Sequence, residues 1–185
     1  MEIKGTAVKT VPNYIKEKHQ HVFEQWIESL PEQSRKIMDS PILSTEWYPL
    51  QEGIIIPMEN LAKILSEEVN KVAWDMGAYS SQIALKGVYK IFVRIASPAF
   101  VIGRAANILE TYYRPATINL AQREKGKIVL EFDNFLKADH LIMHRIAGWC
   151  YNTFEVVKAK NIEVNLKNVD EGGSNFKTLI IIIWE

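Results

Sequence analysis

Through the first 115 residues apolar side chains recur at helical spacing. Residues 3–10 (IKGTAVKT) form an exception, because they are short and β-branched and predict an opening strand. Ile15, Val22, Phe23, Trp26 and Leu30 then fall on one helical face and predict an amphipathic helix over 12–30, with Pro12 in its first turn. Pro31 ends that helix and starts a short one over 31–39. Residues 40–56 hold two prolines and a glycine and read as an irregular connection. Pro57 begins another helix carrying Leu61, Ile64, Leu65 and Val69. Helical spacing continues from there to Tyr113, with joints near Asn70, Lys86-Gly87 and Ser97-Pro98. Ser97 and Pro98 make a good cap and first turn for a helix over 98–113. Its polar stripe is only Arg104, Asn107, Thr111 and Arg114, so it is expected to be mostly buried.

After residue 115 the period changes to two. Residues 116–122 and 127–133 flank REKGK and predict a hairpin turning at Gly126. A long helix follows over 138–158, then the strand NIEVNLK at 161–167. In that strand Ile162, Val164 and Leu166 alternate with Glu163, Asn165 and Lys167, as on a half-buried edge. The last strand, FKTLIIIIW, is apolar on both faces and is expected to be central and covered on both sides. The expected fold class is therefore α+β: a single domain over 1–185, with helix-rich residues 1–115 packed on a four- to five-stranded antiparallel sheet built from the ββαββ half, 116–185.

Composition narrows the function classes. A chain of 185 residues can bury a real core, and 48% apolar with 24% charged residues excludes disorder. Lys+Arg and Asp+Glu balance at 22 each, so no bulk charge draws the chain to nucleic acid. One cysteine rules out an internal disulfide and fits a reducing compartment. No apolar run reads as a membrane span or secretory signal, and the expected location is cytoplasmic.

Few residues offer chemistry. His140 and His144 lie four apart on one helix face and could share a metal. The glutamate that a metalloprotease places after its first histidine is Leu141 here, and Glu155 is too far along the axis to co-ligate. Cys150 falls on the apolar stripe Met143, Ala147, Cys150, Phe154 and Val157, where a cysteine packs as a small hydrophobe. Gly148, beside Trp149, interrupts the same helix. A mid-helix glycine costs about 1 kcal/mol against alanine and marks close approach of another backbone, either a helix crossing or a dimer interface. No phosphate loop, Cys-x-x-C pair or nucleophile elbow is present.

The order of elements resembles the fold shared by haem nitric-oxide-binding (H-NOX) domains, 4-vinyl-reductase-type small-molecule-binding domains and TRAPP transport subunits. KGTAVKTVPNYIKEKHQH looks like the strand-then-helix start of the haem members. FVIGRAANILETYYRPATINL and GGSNFKTLIIIIW look like bacterial members of the superfamily. The resemblance implies a haem held by a histidine and a Tyr-x-Ser-x-Arg grip on its propionates. This chain departs from both. No histidine lies between His21 and His140, and after Tyr112 come Tyr113, Arg114, Pro115 and Ala116, with no serine.

The expectation is thus a non-haem member without cofactor: a non-catalytic sensory or signalling domain, homodimeric, with a pocket for an apolar or anionic amphipathic ligand. Arg104, Tyr112, Tyr113 and Arg114 are the candidate ligand-binding residues, since an arginine fork suits a carboxylate or phosphate. Glu110 and Arg114 could also pair across the last helical turn. The alternative is a homodimeric assembly or adaptor protein without ligand, with Gly148 and Trp149 at the interface. A metal-dependent enzyme using His140 and His144 is the second alternative.

Overall fold

The computed structural model describes residues 1–86, 107–169 and 175–185. Arg104, and the 98–113 helix up to residue 106, lie outside the described residues. Within them the fold is α+β, as the periodicity predicts, with two antiparallel sheets.

The small sheet joins the two halves of the chain. Its centre is β1 (Glu2–Lys4), flanked by β2 (Trp47–Pro49) and β3 (Tyr113–Arg114). The opening strand stops at Lys4, well short of the predicted Thr10. Residues Gly5–Val8 (α1) and Thr10–Lys18 (α2) are helical instead. Ala7, Val8, Val11, Tyr14 and Ile15 recur every three to four residues and bury one face, so tertiary burial overrides the β-branched composition.

The helix predicted over 12–30 is likewise divided. α2 ends at His19, whose φ of −138° leaves helical space. A 3-10 turn over Gln20–Val22 then leads into α3 (Phe23–Ser29). Next come α4 (Glu32–Met38), a π-helical turn over Gln51–Ile55, and α5 (Ile56–Leu65) with Pro57 in its first turn. The connection over 40–56 is therefore only partly irregular.

The large sheet has the order β4 (Thr117–Glu124), β5 (Lys127–Leu136), β7 (Asn175–Ile183), β6 (Glu163–Val169). As expected, β7 is central and β6 an edge. The hairpin turns at Gly126, which has φ +79°. Ile128, Leu130 and Phe132 of β5 face inward with Ile180 and Ile182 of β7, and Ile118 of β4 joins them. The outer face of β7 is not fully covered, contrary to expectation: Leu179 and Ile181 are half-buried and Ile183 is 39% exposed.

Between β5 and β6 the chain forms α7 (Leu141–Val156), which packs on the sheet and against α6 (Val69–Lys86). The α6–α7 crossing is unusually close. A Cβ on Gly148 would overlap the carbonyl oxygen of Trp74 and lie 2.8 Å from its carbonyl carbon. A Cβ on Gly77 would overlap the carbonyl oxygen of Arg145 and lie 3.0 Å from the Trp149 nitrogen. Farther along the same contact, the hydroxyls of Ser81 and Thr153 are buried and 2.9 Å apart. The crossing within the chain accounts for Gly148 by itself.

Candidate functional site

The segment that the sequence singled out divides between surface and core. Residues 107–110 are helical, and the backbone N–H groups of Thr111 and Tyr112 close the last turn on Ile108 and Leu109. Arg114 then sits on β3 at the surface. Its Nε donates to Glu2 Oε2 at 2.6 Å, and its guanidinium stacks 4.2 Å from the Trp47 ring centroid. Lys4 lies over the same indole at 4.4 Å. The partner of Arg114 is thus Glu2 across the sheet, and not Glu110 within its own helix. This hydrogen bond holds the Glu2 carboxyl below its usual pKa.

Tyr113 points the other way. It is 3% exposed, and its hydroxyl is hydrogen-bonded to Arg145 of α7. Burial pushes the Tyr113 phenol up, while Arg145 pulls in the opposite direction. Tyr112 is half-buried beside the pair, close enough to act on Arg145 electrostatically.

Arg145 is the residue that sequence reading missed. It is 4% exposed, and its Nη2 donates to Thr10 Oγ1 at 2.9 Å and more weakly to the Ala7 carbonyl at 3.4 Å. Thr10 in turn donates to the same carbonyl at 2.7 Å. Nε of Arg145 has no acceptor, and no carboxylate among the described residues pairs with the guanidinium. Burial alone opposes its charge and lowers its pKa. One signal was available: Arg145 is a charged residue on the apolar stripe Leu141, Ile142, Ile146 and Trp149.

An aromatic cluster extends from this group. The Tyr113 ring meets Phe135 edge-on at 5.7 Å, and Phe135 meets Phe132 at 6.1 Å and Phe176 at 6.5 Å. The β5–β7 register shifts between Phe132 and Phe135, with Asn134 at φ +65°. That irregularity lets Phe132 and Phe135 both turn inward despite their odd spacing.

The other candidates lie elsewhere. His140 is exposed and His144 half-buried at the start of α7. Among the described residues no group of three His, Cys, Asp or Glu side chains is placed to hold a metal ion. Desolvation, and then the neighbouring His140, lower the pKa of His144. A histidine whose folded pKa is depressed binds fewer protons than in the unfolded chain. Stability is therefore lost as pH falls below about 6.5, the unfolded value, and on through the folded pKa. Urea midpoints at about pH 7.5 and about pH 5.5 should converge in His144→Gln relative to the parent. An unchanged acid slope would remove His144 as a cause. Cys150 is fully buried on α7, and burial pushes its thiol up to about 12, so it packs and does not react at neutral pH. Trp149 is half-buried, and its carbonyl accepts the Thr153 hydroxyl at 2.8 Å.

The architecture is that of H-NOX proteins. The unliganded Fe(II) H-NOX protein of K. algicida matches at a TM-score of 0.73 and 14% identity, covering 99% of this chain and 97% of that one. The S. oneidensis H-NOX protein in its Fe(II)NO state matches at 0.69 and 13%, with 99% of both chains covered. A mutant of T. Tengcongensis H-NOX matches at 0.67 and 13%, covering 99% and 98%. At these identities the likeness establishes the fold alone. No protein-family model and no curated protein matches the chain.

All four histidines are described, and none is buried: His19 sits 3.3 Å from the Tyr14 hydroxyl, His21 and His140 are exposed, and His144 is half-buried. The buried Cys150 thiol is held protonated, burial pushes the Tyr14 and Tyr79 phenols up to about 12, and the Tyr113 phenol faces a cation that opposes a metal. This donor set does not fit a haem held by an interior imidazole. No helix among the described residues is long and apolar enough to cross a membrane.

Proposed function

We propose that this chain is a non-catalytic sensory or small-molecule-binding domain that uses the H-NOX fold for an apolar or amphipathic ligand other than haem. One observation carries the reading. The fold matches H-NOX proteins over nearly the whole chain, yet none of the four histidines is buried, and a buried guanidinium has no carboxylate partner among the described residues. Supporting it, the Cys150 thiol is buried and held protonated, and His140 and His144 gather no third metal ligand among the described residues.

Two measurements on gently purified protein test this function. Native mass spectrometry should find a small organic molecule, lighter than haem, on the folded chain. The same spectrum gives the subunit count, and the homodimer expected from the sequence would appear at twice the chain mass. Haemin titration should give no stoichiometric complex with a ligated-haem absorption band. One haem per chain with an axial protein ligand would overturn the reading.

A further inference from the structure

Among the described residues Arg145 is a buried charge with no counter-ion. An isolated ion in a protein interior costs several kcal/mol, and natural cores keep one only when a counter-charge meets it. Here the guanidinium meets a threonine hydroxyl, a backbone carbonyl and a tyrosine hydroxyl, all neutral. Outside the described residues, 87–106 (GVYKIFVRIASPAFVIGRAA) contains no Asp or Glu and adds Lys90, Arg94 and Arg104, so Asp170 and Glu171 are the only carboxylates there. Nε–H of Arg145 is buried and has no acceptor among the described residues, and the Tyr113 hydroxyl lies against the same guanidinium.

We propose that Arg145 and Tyr113 anchor the head group of a monocarboxylate with an apolar body. This deepens the function proposed above by naming the ligand class, and it rests on that reading. A carboxylate oxygen accepts from Arg145 Nε–H, and the Tyr113 hydroxyl donates to the same group. The charge arithmetic selects a monoanion. One buried cation neutralises one carboxylate, whereas a dianionic phosphate would leave a net negative charge in an apolar surrounding. The apolar body follows from the neighbours, because the Tyr113 ring packs edge-on against Phe135, which in turn meets Phe132 and Phe176.

Thermal unfolding of the full chain with octanoate, octanamide, octan-1-ol and inorganic phosphate tests this. Octanoate should raise Tm in a concentration-dependent way, as a ligand of the native state does, and phosphate should not. Arg145→Met should weaken the octanoate response by tenfold or more, and Tyr113→Phe by about tenfold, the equivalent of one charge-assisted hydrogen bond. If circular dichroism shows Arg145→Met to be unfolded, Tyr113→Phe and Arg145→Lys decide, the latter keeping the charge but losing the fork. An octanoate response undiminished in these variants overturns the proposal. Equal responses to octanamide, octan-1-ol and octanoate overturn it while leaving the ligand-binding function standing. No response to any of the probes, with a large loss of stability in Asp170→Asn/Glu171→Gln, overturns it by showing that the chain supplies its own anion.

Discussion

Gly148→Ala should destabilise the protein by about 3 kcal/mol, and Gly77→Ala by a similar amount. Two effects oppose each other here. Alanine in place of a helical glycine favours the helix by about 1 kcal/mol, so propensity alone predicts a gain. The new methyl, however, meets backbone and not a side chain that could swing aside. At Gly148 it lies 2.9 Å from Trp74 Cα, and at Gly77 it lies 2.8 Å from the Arg145 carbonyl carbon. Helices α6 and α7 would have to separate, uncoupling the Ser81–Thr153 hydroxyl pair as well. Packing therefore wins, and Tm should fall by roughly 6–12 °C in a chain of this length. The double variant should cost less than the sum, since either methyl alone opens the same crossing. Urea unfolding reads all three, and a stabilised Gly148→Ala would show that the crossing is not as tight as described.

Trp26→Ala should be comparably severe, costing about 3–5 kcal/mol. The indole is fully buried between α3 and α5, its ring lies 5.6 Å from Phe23, and its Nε1 donates to the Pro57 carbonyl at 3.0 Å. Truncation leaves a cavity that α3 and α5 cannot close without shifting against each other. Trp26→Phe separates the two contributions. It keeps most of the apolar area and removes the hydrogen bond, and the Pro57 carbonyl retains its place in the first turn of α5. A loss of about 1–2 kcal/mol is expected. Equal losses for alanine and phenylalanine would mean that the hydrogen bond, and not the filled volume, holds α3 to α5.

The ββαββ half was legible because its signals are local. Alternation over 161–167, the two-faced apolar run at the end and the glycine between two strands each identify an element without reference to anything distant. Gly148 was legible for the same reason, as a glycine inside a strong helical stripe. Gly77 drew no notice, because its meaning depends on the Arg145 carbonyl of another helix. The opening strand was overextended because β-branched residues at 6, 8, 10 and 11 look alike in a strand and in a helix buried on one face. What decides is the core that Ala7, Val8 and Val11 pack into.

The candidate site was half legible. The helix end points to Tyr112, Tyr113 and Arg114, of which Tyr113 is buried and Arg114 pairs with Glu2 at the surface, whereas nothing in that segment points to Arg145. The two tyrosine-arginine combinations differ in burial, which no periodicity reports. Arg114 pairs with Glu2 in solvent, 112 residues away, and Arg145 reaches Thr10, 135 residues away. Such contacts exist only once β1 and α2 have folded back against α7. A charged residue in an apolar stripe was the one available hint.

The most direct test of the account is a crystal structure of the chain grown with octanoate. The account predicts a carboxylate against Arg145 Nε and the Tyr113 hydroxyl, with the alkyl chain directed toward Phe135. Arg145 satisfied by a carboxylate of the chain itself, with octanoate elsewhere or absent, would contradict it.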